Sequence, residues 1–262
     1  MRGLVRHAVA ALALGPALAA AGPKPGERLS FVSCPIVRDT RSVPCWLTEQ
    51  NGELYYLTIQ SDVSAEVQPP MLGHQVLVEG VVSDKPRICG GVVLEPVRLS
   101  VMPERDANCS TMLPADDRYT IDFNPRPPGP SGGRLAFAAD PSAPPRPAPK
   151  FEGRQTIEIY FDFDKSVSFR HPSDLMAVLE RARQIGATRG TVTGVRGAHK
   201  LSDGTLLEES SGIAQRRADE VARLLAGAGL KTPLAVATAD GKSEADGVDD
   251  WRSRRVTVVL EP

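Results

Sequence analysis

From residue 29 to residue 113 the apolar positions fall in short runs broken by turn residues, and helical spacing is hard to find. This pattern predicts a small all-β domain over residues 27–114, with strands at 29–33, 45–49, 53–60, 75–83 and 92–102. Asn51-Gly52, between the second and third of these, predicts a tight hairpin turn, because both residues tolerate the positive φ such a turn needs. Gly80 and Gly90-Gly91 predict bulges or a barrel corner.

From residue 156 the period changes. A strand at 156–162 is followed by Pro172-Ser173-Asp174, which opens a helix keeping Leu175, Val178, Leu179, Ala182 and Ile185 on one face until Gly186 ends it. A strand at 188–195 comes next. Residues 206–225 contain a longer helix, with Ile213, Ala214, Ala218, Val221, Ala222 and Leu225 inward and Gly227 and Gly229 after it. Strands at 234–238 and 255–260 complete a β-α-β-α-β-β series over residues 151–262, which predicts helices on one face of a small sheet. The chain as a whole is therefore expected to be α+β. In the N-terminal half, the run from Leu72 to Val82 resembles the curling strand of a small OB-like barrel, with an immunoglobulin-like sandwich as the alternative.

Between the two patterns, nine of the residues from 125 to 150 are proline, so 115–150 reads as a linker. Its composition favours extended polyproline conformation, reaching up to roughly 80 Å at ~3.1 Å per residue; the alternative is a docking ligand for a partner. At the start of the chain, Arg2 and Arg6 precede an apolar stretch from Ala8 to Leu18 and small residues suited to signal peptidase, so residues 1–21 read as an export signal. About 11 apolar residues are too few for the ~20 that a transmembrane helix needs. No cysteine stands at the expected new N-terminus, which argues against a lipid anchor. The expected location is the periplasm, in association with the outer membrane.

Composition sharpens this. A formal net charge of −1 argues against a nucleic-acid partner, whose binding would rest on phosphate neutralisation. All four cysteines, Cys34, Cys45, Cys89 and Cys109, lie in the β domain without C-x-x-C spacing, so in an oxidising compartment two disulfides are expected rather than a metal site. Three pairings are open, local closure of Cys34 with Cys45 and of Cys89 with Cys109 being the simplest.

Three segments then carry a resemblance. Tyr160-Phe161-Asp162-Phe163-Asp164, Gln215-Arg216-Arg217-Ala218-Asp219-Glu220-Val221 and Arg254-Arg255-Val256 resemble, in order and spacing, the signatures of the OmpA-like peptidoglycan-binding family over residues 150–262. The resemblance implies non-covalent binding of the peptidoglycan stem peptide through its diaminopimelate, with Arg217 as the residue whose guanidinium fork meets the ligand carboxylate. Gly197 stands where the family carries its ligand aspartate, and Ser253 where it carries asparagine. The segment that follows is longer than usual and offers Asp203 as a substitute carboxylate, while Arg196 and Arg255 add cations. The alternative is an interaction module of the envelope that has lost wall binding. The β domain is expected to meet an envelope partner of its own.

Catalysis is not expected. His199, Ser202 and Asp203 are adjacent in sequence but form no recognisable triad or nucleophile elbow. No H-x-x-x-H pair suggests a metal, and no cofactor is implied.

Overall fold

The computed structural model describes residues 22–60, 67–121, 150–171, 173–239 and 245–262; the expected export signal and the proline-rich stretch at 122–149 lie outside them. The N-terminal module is built of β1 (Arg28–Ser33), β2 (Pro35–Arg38), β3 (Cys45–Gln50), β4 (Glu53–Ile59), β5 (His74–Val82), β6 (Val92–Arg105) and β7 (Met112–Leu113). They pair in the order β1-β5-β6-β4-β3-β2-β7. The ladder is open and not closed into a barrel. β1 and β2 nevertheless follow one another along the chain, separated only by Cys34.

The hairpin at Asn51-Gly52 forms as expected, Gln50 pairing with Glu53 across a turn whose φ values are 54° and 79°. A register shift between Gly80 and Val82 marks the anticipated bulge. Alternation along the strands sends Phe31, Trp46, Tyr55, Leu57, Val76, Val78, Val82 and Leu94 into one core. Trp46 keeps its indole N–H satisfied by Gln60 at 2.9 Å. Residues 116–121 remain attached to this module, through Tyr119 and through the exchange between Ser42 and Ile121.

Both disulfides form, but not by local closure. Cys34, at the bend between β1 and β2, joins Cys109 beyond β6, and Cys45 of β3 joins Cys89 in the turn before β6. The sheet explains this, because it sets distant segments side by side while the nearest cysteines in sequence point into different parts of the module. Sequence separations of 75 and 44 mean larger closed loops, each contributing about 4 kcal/mol in the chain-entropy description.

The C-terminal module follows the expected series: β8 (Gln155–Tyr160), α1 (Ser173–Ile185), β9 (Arg189–Val195), α2 (Ile213–Gly227), β12 (Leu234–Ala239) and β13 (Arg255–Glu261). Between β9 and α2 the chain adds a hairpin, β10 (Ala198–Lys200) with β11 (Leu206–Glu208), and a 3-10 turn, Asp250–Ser253, precedes β13. The sheet order is β12-β9-β13-β8, with β12 parallel to β9 and the other pairs antiparallel. Val178 and Ala182 of α1 and Ala218, Val221 and Leu225 of α2 pack on Ile157, Ile159, Val192, Val256, Val258 and Leu260. That is the single helix-covered face read from the apolar pattern.

The modules have separate cores and touch along β1, β5 and β6 on one side and the loops at one end of the C-terminal sheet on the other. A spacer of the expected reach would leave them free to separate; here they are docked.

Candidate binding site at the junction of the modules

Arg217 projects from the first turns of α2 into the interior and is fully buried, as is its partner Glu209. Its Nη1 donates to Glu209 Oε2 at 2.8 Å and its Nη2 to Glu209 Oε1, so the carboxylate fills the guanidinium fork. The remaining donors reach the carbonyls of Lys165 at 2.7 Å, Asp162 at 3.1 Å and Val195 at 3.4 Å, and the group lies over the Phe161 ring. Glu209 in turn accepts the amides of Asp164 and Gly197. The pair is self-contained: a buried cation and anion with every polar atom engaged, which is the condition under which such a pair is tolerated.

Of the other residues singled out in the sequence, Arg196 joins this arrangement from outside, donating to the Glu209 carbonyl at 2.5 Å and to the Glu208 carboxylate at 2.7 Å. Asp203 sits in the exposed turn between β10 and β11, accepting the Thr205 amide at 2.8 Å, and that bond lowers its carboxyl pKa. Arg255 pairs with Glu158 at 3.3 Å on the sheet. Asp203 and Arg255 thus have contacts of their own, separate from those of Arg217. Gly197, in the place of the expected aspartate, has no room for a side chain: a Cβ there would lie 2.5 Å from Ser253 Oγ and 2.6 Å from Arg254 Cγ.

A second cluster lies between the modules. Glu79, midway along β5, accepts Arg170 Nη2 at 2.8 Å and Arg254 Nη2 at 2.8 Å and 3.0 Å. Burial would raise the Glu79 carboxyl, but the guanidiniums of Arg254 and Arg170 outweigh it and hold it below the usual carboxylate range. Burial also lowers the Arg170 pKa to about 10, against the pull of Glu79. Arg170 lies over the Trp251 ring at 4.8 Å, and Trp251 meets Tyr160 edge-on. Nearby, Arg98 of β6 pairs with Asp162 at 2.8 Å, and Ser100 Oγ accepts the Phe163 amide at 3.0 Å. The β10–β11 hairpin completes the contact. Ser202 N donates to Ser30 O and Ser30 N to Ser202 Oγ, both at 2.8 Å, and Ser30 Oγ bonds His199 Nε2.

One charged residue of each signature is thus engaged internally: Asp162 with Arg98, Arg217 with Glu209, Arg254 with Glu79. Glu79, Arg170 and Glu209 carried no signal in the sequence, since an isolated charge in a strand or loop does not announce its partner. The proximity of Ser30, His199 and Asp250 invites comparison with a hydrolytic triad. His199 Nδ1, however, stands 3.5 Å from Asp250 Oδ2, beyond a good hydrogen bond, and that carboxylate is spent on the amides of Lys200, Asp246 and Gly247. Burial lowers the His199 pKa, Glu79 and Asp250 opposing and Arg254 and Arg170 assisting. Through Nε2 and Ser30 Oγ the ring links the two modules.

Among the described residues one group of potential metal ligands lies together, Cys34, Asp106 and Cys109, and both its sulfurs are in a disulfide. No helix among them is long and apolar enough to cross a membrane. A cleft of about 650 Å³ opens between the modules, with Glu79, Arg98, Arg170, His199, Ser202 and Trp251 among its walls.

No model of a known protein family matches the chain, and no curated protein matches it. Among solved structures, the OmpA-like domain of FopA1 from Francisella tularensis subsp. tularensis SCHU S4 is similar at a TM-score of 0.31 and 14% identity, over 41% of this chain and 75% of that one. The likeness is weak and covers part of the chain.

Proposed function

We propose that this chain is an exported protein of the cell envelope that acts by binding rather than catalysis, and that its OmpA-like C-terminal module docks the N-terminal module instead of gripping the wall through Arg217. One observation carries this reading: Arg217 is fully buried with its fork filled by Glu209. A ligand carboxylate would have to displace an internal one that also holds the amides of Asp164 and Gly197. The motifs, the expected export signal and the β-α-β-α-β-β order support an envelope module of OmpA-like type. In the N-terminal module, setting aside the two-residue β7 and counting β1 and β2 as one bent strand leaves five strands whose order supports an OB-type module, the part that meets the envelope partner.

The alternative is anchoring to the diaminopimelate of peptidoglycan through Arg217, assisted by Arg196, Asp203 and Arg255. The three signatures favour it, and it requires Glu209 to swing away. Sedimentation of the full chain with purified sacculi, with and without free diaminopimelate, separates the two. The expected result is no diaminopimelate-competed binding. Competed binding that Arg217→Ala abolishes in a folded protein would establish wall anchoring.

A further inference from the structure

The two buried arginine sites differ in how completely they are satisfied. Each side-chain nitrogen of Arg217 has an acceptor. At the junction, by contrast, the buried Nε of Arg170 and the buried Nε and Nη1 of Arg254 find none among the described residues. Two guanidiniums converge there on a single carboxylate, with more donors than Glu79 can engage. Each unmade bond of a buried donor is destabilising, so a further acceptor reaching these atoms would be bound favourably.

We propose that Arg170 and Arg254 form a carboxylate receptor on the C-terminal module, filled in the closed protein by Glu79, and that an acidic side chain on an extended segment of a partner protein exchanges with it. Three further observations fit this occupant. Glu79 is presented from the middle of a strand, paired with Ser30 of β1 and Arg98 of β6, so what the receptor reads is a carboxylate standing out of extended backbone. The cleft between the modules reaches Glu79 and Arg170, giving a competing carboxylate a route in without unfolding either core. Trp251 backs Arg170 at 4.8 Å, a contact that does not depend on Glu79. The proposal rests on the docked arrangement described above.

The test uses the full chain carrying Glu79→Ala, which removes the internal occupant and leaves a carboxylate-sized space. Small-angle scattering reads docking, and thermal melting is followed in acetate, phosphate and chloride at equal ionic strength. The expected result is a larger radius of gyration in chloride, with acetate restoring compaction and raising the melting temperature by about 3 °C. Adding Arg170→Gln should abolish the acetate response. Equal rescue by phosphate would overturn carboxylate recognition, and absence of rescue would overturn the receptor, as would a Glu79→Ala chain that stays unfolded in acetate. The wild-type chain in chloride separates this from the underlying reading: if it is already as expanded as the Glu79→Ala chain, the docking account itself fails.

Discussion

Arg217 with Glu209 and Arg254 with Glu79 are the same chemistry in two settings. The first lies inside one module, its partners only eight residues apart in sequence, and its carboxylate also fastens two backbone amides. The second joins residues 175 positions apart in different modules, shares its carboxylate with Arg170 and leaves donors unmade. The contrast shows how one residue type acts as a structural strut where every atom is matched and as a separable contact where they are not. The difference is testable by disturbing each pair in turn.

The largest effect is expected from Glu209→Ala. It strands a fully buried guanidinium and frees two amides, so the C-terminal module should lose about 3–5 kcal/mol in denaturant unfolding. A loss below about 1 kcal/mol would mean that Arg217 readily finds another partner, as wall binding requires. Glu79→Gln should cost less, about 2 kcal/mol, and should act on the contact between modules rather than on either core. Scattering would show expansion while the far-UV circular dichroism of both modules stays unchanged.

Acid should open the junction. The folded pKa of His199 is below its ordinary 6.5 and that of Glu79 below its ordinary 4.5, so the docked state binds fewer protons than the undocked one. Docking is therefore complete above about pH 6.5. It weakens as pH falls below that value through His199, and again below about 4.5 through Glu79. Trp251 fluorescence in a Trp46→Phe background reports the opening, and His199→Gln should remove the upper step. A signal flat from pH 7.5 to 4 would contradict this assignment. The smallest effect is expected from Asp203→Asn, since the residue is exposed and its one role is a turn: within about 0.5 kcal/mol of wild type, with no change in sacculus sedimentation.

Much of the fold was legible in the chain because it depends on local regularities. Alternation placed β1, β3, β4, β5 and β6, the 3.6-residue face of Leu175, Val178, Leu179, Ala182 and Ile185 placed α1, and Asn51-Gly52 placed the hairpin. The short β2, β7, β10 and β11 escaped, because segments of two to four residues are too brief to show a period. The candidate site was legible only in its cations. Arg217 stood out by motif, whereas Glu209, which holds it, looked like one of two adjacent acids ahead of a helix.

Patterns of alternation, helical spacing, turn residues and cysteine count are properties of neighbours along the chain, and from them follow the two modules, their classes and the presence of two disulfides. Pairing is different. Cys34 meets Cys109, Arg254 meets Glu79, and Ser30 meets Ser202 because sheet order and module docking bring together segments that nothing in their local sequence connects. The same reason governs Gly197: the glycine is visible in the chain, but the side chain of Arg254 and the hydroxyl of Ser253, which leave no space for an aspartate there, arrive only with the folded loops.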